Sequence, residues 1–332
     1  MFLKYSNSLF YFVLFLTPFV VISSESWVLM WLAMEVNLMM FIPLLMNKIN
    51  SDSTSSAIKY FIIQAGASVV LIMSFMIFSK FNILNSIYIN NEMIVISMAM
   101  KSGIPPLQFW LPQVMETMEF YDIIVLLTWQ KISPMFIMSF YITNLLIVVI
   151  LAGAIIGTLG GLNQNSMKKI LAYSSMSHSS WIIMTLFMNM KMWFIYFVMY
   201  SIMVLMVVSI CVSFNLNNLS NLESINISEK TKVLITMNLL SLGGLPPFIG
   251  FMMKFMIINY VVQTMILKMM LLIMIMMSLF SLFYYMKVSY GFMFKNSLVF
   301  KFEGGGEKEM SNAQVITTLM SSLILPGILI LM

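Results

Sequence analysis

The chain alternates long apolar runs with short polar breaks. A helix that crosses a lipid bilayer needs roughly 20 mostly apolar residues, and runs of that length recur from one end of the sequence to the other. They predict eleven spans, at about 5–23, 26–46, 57–79, 91–117, 121–142, 145–161, 168–188, 192–214, 231–260, 266–288 and 312–331. We therefore expect an all-α polytopic membrane protein with about 11 transmembrane helices, in which breaks such as 47–56, 215–232 and 295–312 form loops.

Composition supports this class. Of the 332 residues, 61% are hydrophobic and 9% are charged, whereas about a quarter of a soluble domain is charged. An ordinary soluble enzyme is therefore excluded. All 17 basic residues are lysine, so the net charge of +5 comes without the arginines that read bases, and we expect no nucleic-acid partner. One cysteine, Cys211, predicts neither an internal disulfide nor a cysteine-rich metal site.

The first span has a second interpretation. Lys4, an apolar run and the pair Ser23–Ser24 also fit a cleaved signal peptide. Ten further spans make such a leader unnecessary, but composition alone leaves both interpretations open.

The lysines predict an orientation. If eleven spans are threaded from one side, eleven lysines fall on the side of the N-terminus and three on the other. The three are Lys80, Lys191 and Lys268. Because positive loops stay on the cytoplasmic or matrix side, the N-terminus is expected there and the C-terminus on the opposite side.

Of the Lys, Glu, Asp and His residues, five lie deep inside the predicted spans rather than near their ends: Glu35, Lys101, Lys131, His178 and Lys254. Placing one Lys or Asp at the centre of a bilayer costs roughly 2.5–3.5 kcal/mol. Ionisable groups at that depth usually mark ion or proton paths. A buried lysine can gain or lose a proton when its surroundings change, whereas an arginine stays charged. A pairing of Glu35 with Lys101 or Lys131 is a hypothesis, because sequence spacing does not establish contact.

The alternative is structural. Lysines can extend to the interface, or one Lys–Glu pair can simply hold two helices together. Interface extension suits Lys191 and Lys268 at span ends, but Lys131 lies too far from either end of its span.

Two spans contain the same break. Gly103-Ile104-Pro105-Pro106 recurs as Gly244-Leu245-Pro246-Pro247, offset by 246 − 105 = 141 residues. Proline removes a backbone donor and clashes with the preceding turn, so both helices should be broken at membrane depth, each near a buried lysine. The same motif on oppositely directed helices predicts two five-helix inverted repeats. We expect one domain, 1–332, with repeat 1 at about 5–142, repeat 2 at about 145–288, and a C-terminal loop and helix at 289–332. Lys131 would then lie between the halves.

The stretch Tyr173–Ser180 lies mid-span but is rich in serine and contains His178, the only histidine. Small residues explain close helix packing but not the histidine. Both a hydrated path and a buried histidine bonded to a neighbouring hydroxyl fit His178.

Six motifs occur in an order that resembles the antiporter-like membrane subunits of respiratory complex I, the NADH:ubiquinone oxidoreductase. They are Trp31–Asn37, Lys101–Pro106 with Phe109–Pro112, Thr128–Lys131, Gly160–Gln164, Ala172–Ser175 with His178, and Leu242–Phe248 with Lys254. The resemblance covers about residues 5–290. One departure is Gln108, where relatives often have histidine.

The resemblance implies a function. The family's key glutamate falls on Glu35 and its lysines on Lys101, Lys131 and Lys254, which would pump protons when quinone is reduced elsewhere in the complex. It implies no cofactor and no metal in this chain, because NADH, FMN, iron–sulfur clusters and ubiquinone belong to other subunits of this translocase. It also implies neighbouring antiporter-like and small core subunits, and lipids such as cardiolipin, as partners. The 39 methionines and the absence of arginine resemble the composition of proteins encoded by an AT-rich animal mitochondrial genome. This implies the mitochondrial inner membrane, with the N-terminus on the matrix side and the C-terminus on the intermembrane side.

Three alternatives differ from this function. An Mrp-type or free-standing cation/proton antiporter shares the lysine–glutamate pattern. A structural or assembly subunit would use the charges only to hold helices together. A haem or iron–sulfur subunit is disfavoured, because one histidine and one cysteine cannot ligate such groups.

Overall fold

The computed structural model describes residues 2–46, 50–80, 84–219, 228–262 and 265–294, together with 314, 315 and 318. Across these ranges the chain forms helices and one isolated bridge between Ser166 and Asn218. The thirteen helices found there are α1 (Phe2–Ser23), α2 (Trp27–Leu45), α3 (Ser51–Lys80), α4 (Leu84–Ser102), α5 (Trp110–Thr117), α6 (Phe120–Leu127), α7 (Trp129–Met138), α8 (Asn144–Leu162), α9 (Met167–Leu186), α10 (Met190–Phe214), α11 (Glu229–Gly243), α12 (Ile249–Val261) and α13 (Met265–Phe294).

These helices follow most of the predicted spans. Five segments of the described chain are long and apolar enough to cross a bilayer: Trp27–Leu45, Ser51–Met76, Asn144–Leu162, Met190–Phe214 and Leu267–Met293. The predicted spans 91–117 and 231–260 are each two helices with a break at the Pro-Pro motif, as expected. The span 121–142 is also two helices, an interruption that the sequence analysis did not predict. The count of eleven spans and the inverted relation of the repeats stay predictions, and the span 312–331 lies almost entirely outside the described residues.

The chain divides into two compact units, residues 1–149 and 150–332. In the first unit, α1 packs against α2, α3 packs against α4 and α5, and α7 packs against α4, α1 and α6. In the second unit, α11 packs against α13, and α10 packs against α9, α11 and α12.

A proline in α1 shows how these apolar helices use a freed backbone group. Pro18 has no N–H, so the carbonyl of Leu14 loses its helical donor. The Thr17 hydroxyl and the Trp129 indole N–H donate to that carbonyl instead, at 2.9 and 3.2 Å. Because a buried carbonyl must be satisfied where water is scarce, this break fixes α7 against α1.

The helices before the two Pro-Pro breaks end with the same capping geometry. Gly103 and Gly244 are left-handed, with φ of 68° and 83°, which a glycine adopts without steric cost. The next residue donates back into the helix in each case, from Ile104 to Ala99 and from Leu245 to Leu240. Each helix therefore ends in the glycine-capped arrangement known as a Schellman motif, and the prolines that follow prevent its continuation.

Candidate functional site

The first group of buried charges joins α2 to the end of α4. Lys101 Nζ lies 3.8 Å from Glu35 Oε1, an ion pair that is too long for a direct hydrogen bond. The lysine side chain is 5% exposed and that of the glutamate 21%. Glu35 Oε1 is buried and accepts no hydrogen bond from any residue that the structure describes. The sequence hypothesis that Glu35 pairs with Lys101 is therefore met in the geometry.

The break after α4 holds Lys101 in place. The last carbonyls of a helix lack regular intrahelical donors, and here two side chains donate to them, in the case of Met100 together with the Gly103 N–H. Gln64 of α3 donates to the carbonyl of Lys101 at 3.0 Å, and the Trp110 indole donates to that of Met100 at 3.2 Å. Since the backbone is fixed on both sides, the Lys101 side chain extends from a defined point towards Glu35.

A small polar cavity adjoins this pair. It is lined by Asn37, Gln64, Lys101, Gln130 and Ser133, among others, and leaves about 20 Å³ for the centres of water molecules. That space is enough for one water, and polar walls of this kind favour one. Asn37 and Gln130 bond reciprocally, each amide donating to the other's oxygen at 2.9 and 3.0 Å.

Lys131 lies beside this amide pair in the sequence, on α7, and its side chain is almost completely buried, at 2% exposed. The backbone is irregular on both sides of it. Thr128 separates α6 from α7, and its hydroxyl donates back to the carbonyl of Ile124 at 2.7 Å. Pro134 removes the N–H that would reach the carbonyl of Gln130. Lys131 therefore lies in the first turn of α7, between the break at Thr128 and the backbone hydrogen bond that Pro134 removes.

The second group of buried charges lies at the other Pro-Pro break. Lys254 of α12 donates to the carbonyl of Gly243, the last residue of α11, at 2.9 Å. His178 of α9 bonds to the preceding carbonyl, that of Leu242, through Nε2 at 3.2 Å. Two carbonyls that the break leaves free are thus satisfied by two ionisable side chains. The negative end of the helix dipole also favours the lysine ammonium there.

The geometry assigns the tautomer of His178. A carbonyl only accepts, so Nε2 carries the hydrogen that is donated to Leu242. In the neutral ring Nδ1 is then an acceptor, and the Tyr196 hydroxyl at 3.3 Å is its donor. Of the two interpretations drawn from the sequence, the buried histidine bonded to a hydroxyl is therefore present. A hydrated path is compatible with it, because His178, Lys254, Ser177 and Ser180 line a common small cavity.

Three features of the site were missed at the sequence level. Asp122 of α6 is buried and accepts a hydrogen bond from Tyr11 at 3.2 Å, and the sequence analysis did not single it out. Pro134 was a visible signal of irregular backbone next to Lys131. Thr128 gave no such signal. Among the described residues, no group of three His, Cys, Asp or Glu side chains could hold a metal ion.

Buried lysines beside broken helices in an all-helical membrane protein define the class of antiporter-like membrane proteins. Residues 24–281 match the model of the "NADH:quinone oxidoreductase/Mrp antiporter, TM" family. The chain is 38% identical over 304 residues to NADH-ubiquinone oxidoreductase chain 2 of Anopheles gambiae, covering 88% of this chain and 87% of that protein. The chain belongs to the NADH–ubiquinone oxidoreductase chain 2 family.

Solved structures share the fold. A chain of respiratory complex I from Thermus thermophilus superposes with a TM-score of 0.83 at 18% identity, over 97% of this chain and 77% of that one. A chain of the Mrp complex from Dietzia sp. DQ12-45-1b gives 0.78 at 13% identity, over 95% and 74%. At these identities the matches establish the architecture alone, that of a multi-pass membrane protein.

Proposed function

We propose that this chain is a proton-translocating subunit in the membrane arm of respiratory complex I, with protons moving along Glu35, Lys101, Lys131, His178 and Lys254. One observation carries the proposal. Glu35 and Lys101 form a buried ion pair beside a polar cavity, at the point where a helix is broken in the membrane. A structural ion pair needs neither the cavity nor the break.

Family membership favours this function over an Mrp-type antiporter. Relatives at 34–38% identity over most of the chain are named NADH-ubiquinone oxidoreductase chain 2, whereas the Mrp match is at 13% identity and reflects fold. We therefore place the coupling energy in quinone reduction elsewhere in the complex rather than in an ion gradient.

The Glu35–Lys101 pair links proton uptake at one group to proton release at the other. While both groups are charged, each stabilises the other, because opposite charges at this distance attract strongly in a medium of low dielectric constant. When a proton arrives on Glu35, the attraction for the Lys101 ammonium is lost, and the lysine then releases its own proton more readily. A proton taken up at one group is thus linked to a proton released at the other.

Lys131, His178 and Lys254 are the further proton-carrying groups of the proposal. Each lies beside an interrupted helix, and freed backbone groups in a membrane are tolerated where they face protein or water. His178 keeps its Nε2–H on the carbonyl of Leu242, and its Nδ1 can take up a proton and change from acceptor to donor towards the Tyr196 hydroxyl. Lys254 shares a cavity with it, so that a water there can connect the two.

The setting follows from the same family. We place the chain in the mitochondrial inner membrane, with its N-terminus on the matrix side and its C-terminus on the intermembrane side, among other membrane-arm subunits and lipids such as cardiolipin. NADH, FMN, the iron–sulfur clusters and ubiquinone are assigned to other subunits, and this chain to proton transfer without a redox centre of its own.

The test uses the assembled complex in sealed vesicles. Glu35→Gln and Lys131→Ala should each lower the number of protons pumped per electron while the complex still assembles. Lys268→Ala is the control, because that side chain is exposed at a helix end and should leave pumping unchanged. A normal proton-to-electron ratio in both site variants would contradict the proposal and favour a purely structural role for these buried charges.

A further inference from the structure

We propose that the reciprocal amide pair of Asn37 and Gln130 is a positioning element that ties the helix of Glu35 to the helix of Lys131 across the polar cavity, and so sets how readily protons pass between these charges. The inference rests on the proposed function. Neither amide is assigned a role in carrying the proton itself.

The pair bridges two helices that pack mainly against other elements. α2 packs against α1 and α3, whereas α7 packs against α4, α1 and α6. The cavity lies where α2 and α7 face each other, and the amides reach across it with two hydrogen bonds of 2.9 and 3.0 Å. This paired contact ties the two helices together at the depth of the charges.

The neighbours of each amide explain why the tie affects function. Asn37 follows Glu35 by two residues on α2, and Gln130 precedes Lys131 on α7. α7 begins directly after Thr128, and Pro134 removes the helical hydrogen bond to the carbonyl of Gln130, so side-chain contacts contribute more to the position of this segment than in a regular helix. Releasing the amide pair therefore lets Lys131 shift relative to the Glu35–Lys101 pair.

An amide suits this task. Its donor and its acceptor satisfy each other in the pair, and neither group gains or loses a proton at ordinary pH. The tie therefore persists while Glu35 and the lysines change charge. A carboxylate or a lysine at either position would add a competing charge to the cavity.

The sharpest test is an exchange of the two residues. Asn37→Leu and Gln130→Met keep the approximate side-chain size but remove both hydrogen bonds of the pair, and each should lower the protons that this chain pumps per electron by about fivefold or more. The double exchange Asn37→Gln with Gln130→Asn restores an amide pair of the same total length. It should recover the ratio to within about twofold. Ser97→Ala is the matched control, since this buried hydroxyl of the same unit bonds only locally, to the carbonyl of Ile94.

Assembly is measured separately, as the amount of this chain that is recovered in the intact complex. If an apolar variant fails to assemble, Asn37→Ala and Gln130→Ala replace it, since they leave room for water in the cavity, and the same loss of pumping is expected. Normal pumping in these variants, or an exchange double variant as defective as the single ones, overturns the inference. Failure of the proposed function itself is recognised independently, because Glu35→Gln and Lys131→Ala would then pump normally.

Discussion

The helices before the two Pro-Pro breaks end with the same glycine cap, but different side chains donate to their free carbonyls. The carbonyl of Lys101 accepts from Gln64, and the carbonyl at the matching position of the second break, that of Leu242 (242 − 101 = 141), accepts from His178. A neutral amide at the first break thus corresponds to a titratable ring at the second. The shared motif fixes where acceptors are left free, and the surrounding helices decide which donor reaches them.

The lysines differ in the same way. Lys101 precedes its break and faces the carboxylate of Glu35, whereas Lys254 follows its break and faces the backbone carbonyl of Gly243. With the offset of 141 residues, the position in the first break that corresponds to Lys254 is Gln113, and Gln113 is exposed. The first site therefore contains a pair of opposite charges, while the described contacts of Lys254 join its charge to a helix end. Similar motifs need not carry equivalent charges.

The largest expected difference between the breaks lies in how closely the helix after the break packs against the helix before it. A Cβ on Gly250 would lie 1.9 Å from the carbonyl oxygen of Ser241. The matching residue of the first break, Phe109, is 75% exposed. We expect Gly250→Ala to destabilise the chain by about 3 kcal/mol through this overlap, measured as loss of assembled complex and a lower inactivation temperature. Gly66→Ala is the control, because nothing lies within 4 Å of its added Cβ. Equal assembly of the two variants would show that the second break is not closely packed.

The charge partners should give the next largest effect. Lys101→Met leaves a partly buried carboxylate without its partner and should cost about 2 kcal/mol. Lys254→Met leaves a carbonyl without a donor and should cost about 1 kcal/mol. Adding Glu35→Gln should rescue Lys101→Met but not Lys254→Met, as measured by the inactivation temperature of the complex. Rescue of both variants would contradict the distinction between the two sites.

The smallest effect concerns the second site alone. Tyr196→Phe removes the hydroxyl that donates to His178 Nδ1 and should cost about 1 kcal/mol or less. It should also shift the ¹⁵N resonance of that nitrogen, which loses a hydrogen bond. Tyr260→Phe is the control, since Tyr260 is exposed on α12. An unchanged Nδ1 resonance in Tyr196→Phe would mean that the hydroxyl does not hold the tautomer.

The sequence predicted the parts of the fold that depend on local chemistry. Apolar run length marked the helices, and the Pro-Pro pairs marked both breaks because proline acts on its own backbone. The interruption at Thr128 was not predictable in this way. Its sequence is compatible with a continuous helix, and the hydroxyl bond to Ile124 that accompanies the interruption competes with regular helix only in its folded context.

The sequence predicted which charged side chains are buried better than it predicted which residues they contact. Cost of insertion identified Glu35 and the three lysines as unusual, and the side chains of all three lysines are buried. The pairing of Glu35 with Lys101 joins residues 66 positions apart (101 − 35), and no local pattern encodes such a contact. Asp122 was missed for the same reason, because its bond to Tyr11 of α1 joins residues 111 positions apart and depends on how α1 packs.

The donors at the second break have a consequence for durability. Lys254 and His178 each support a helix end through an N–H, and both retain a suitable N–H whether or not they carry an extra proton: a neutral amine still donates, and the Nε2–H of histidine is present in this neutral tautomer and in the cation. The hydrogen bonds at the end of α11 therefore do not depend on whether Lys254 and His178 are charged. Each group can be loaded and emptied in every turnover without the helix end losing its support.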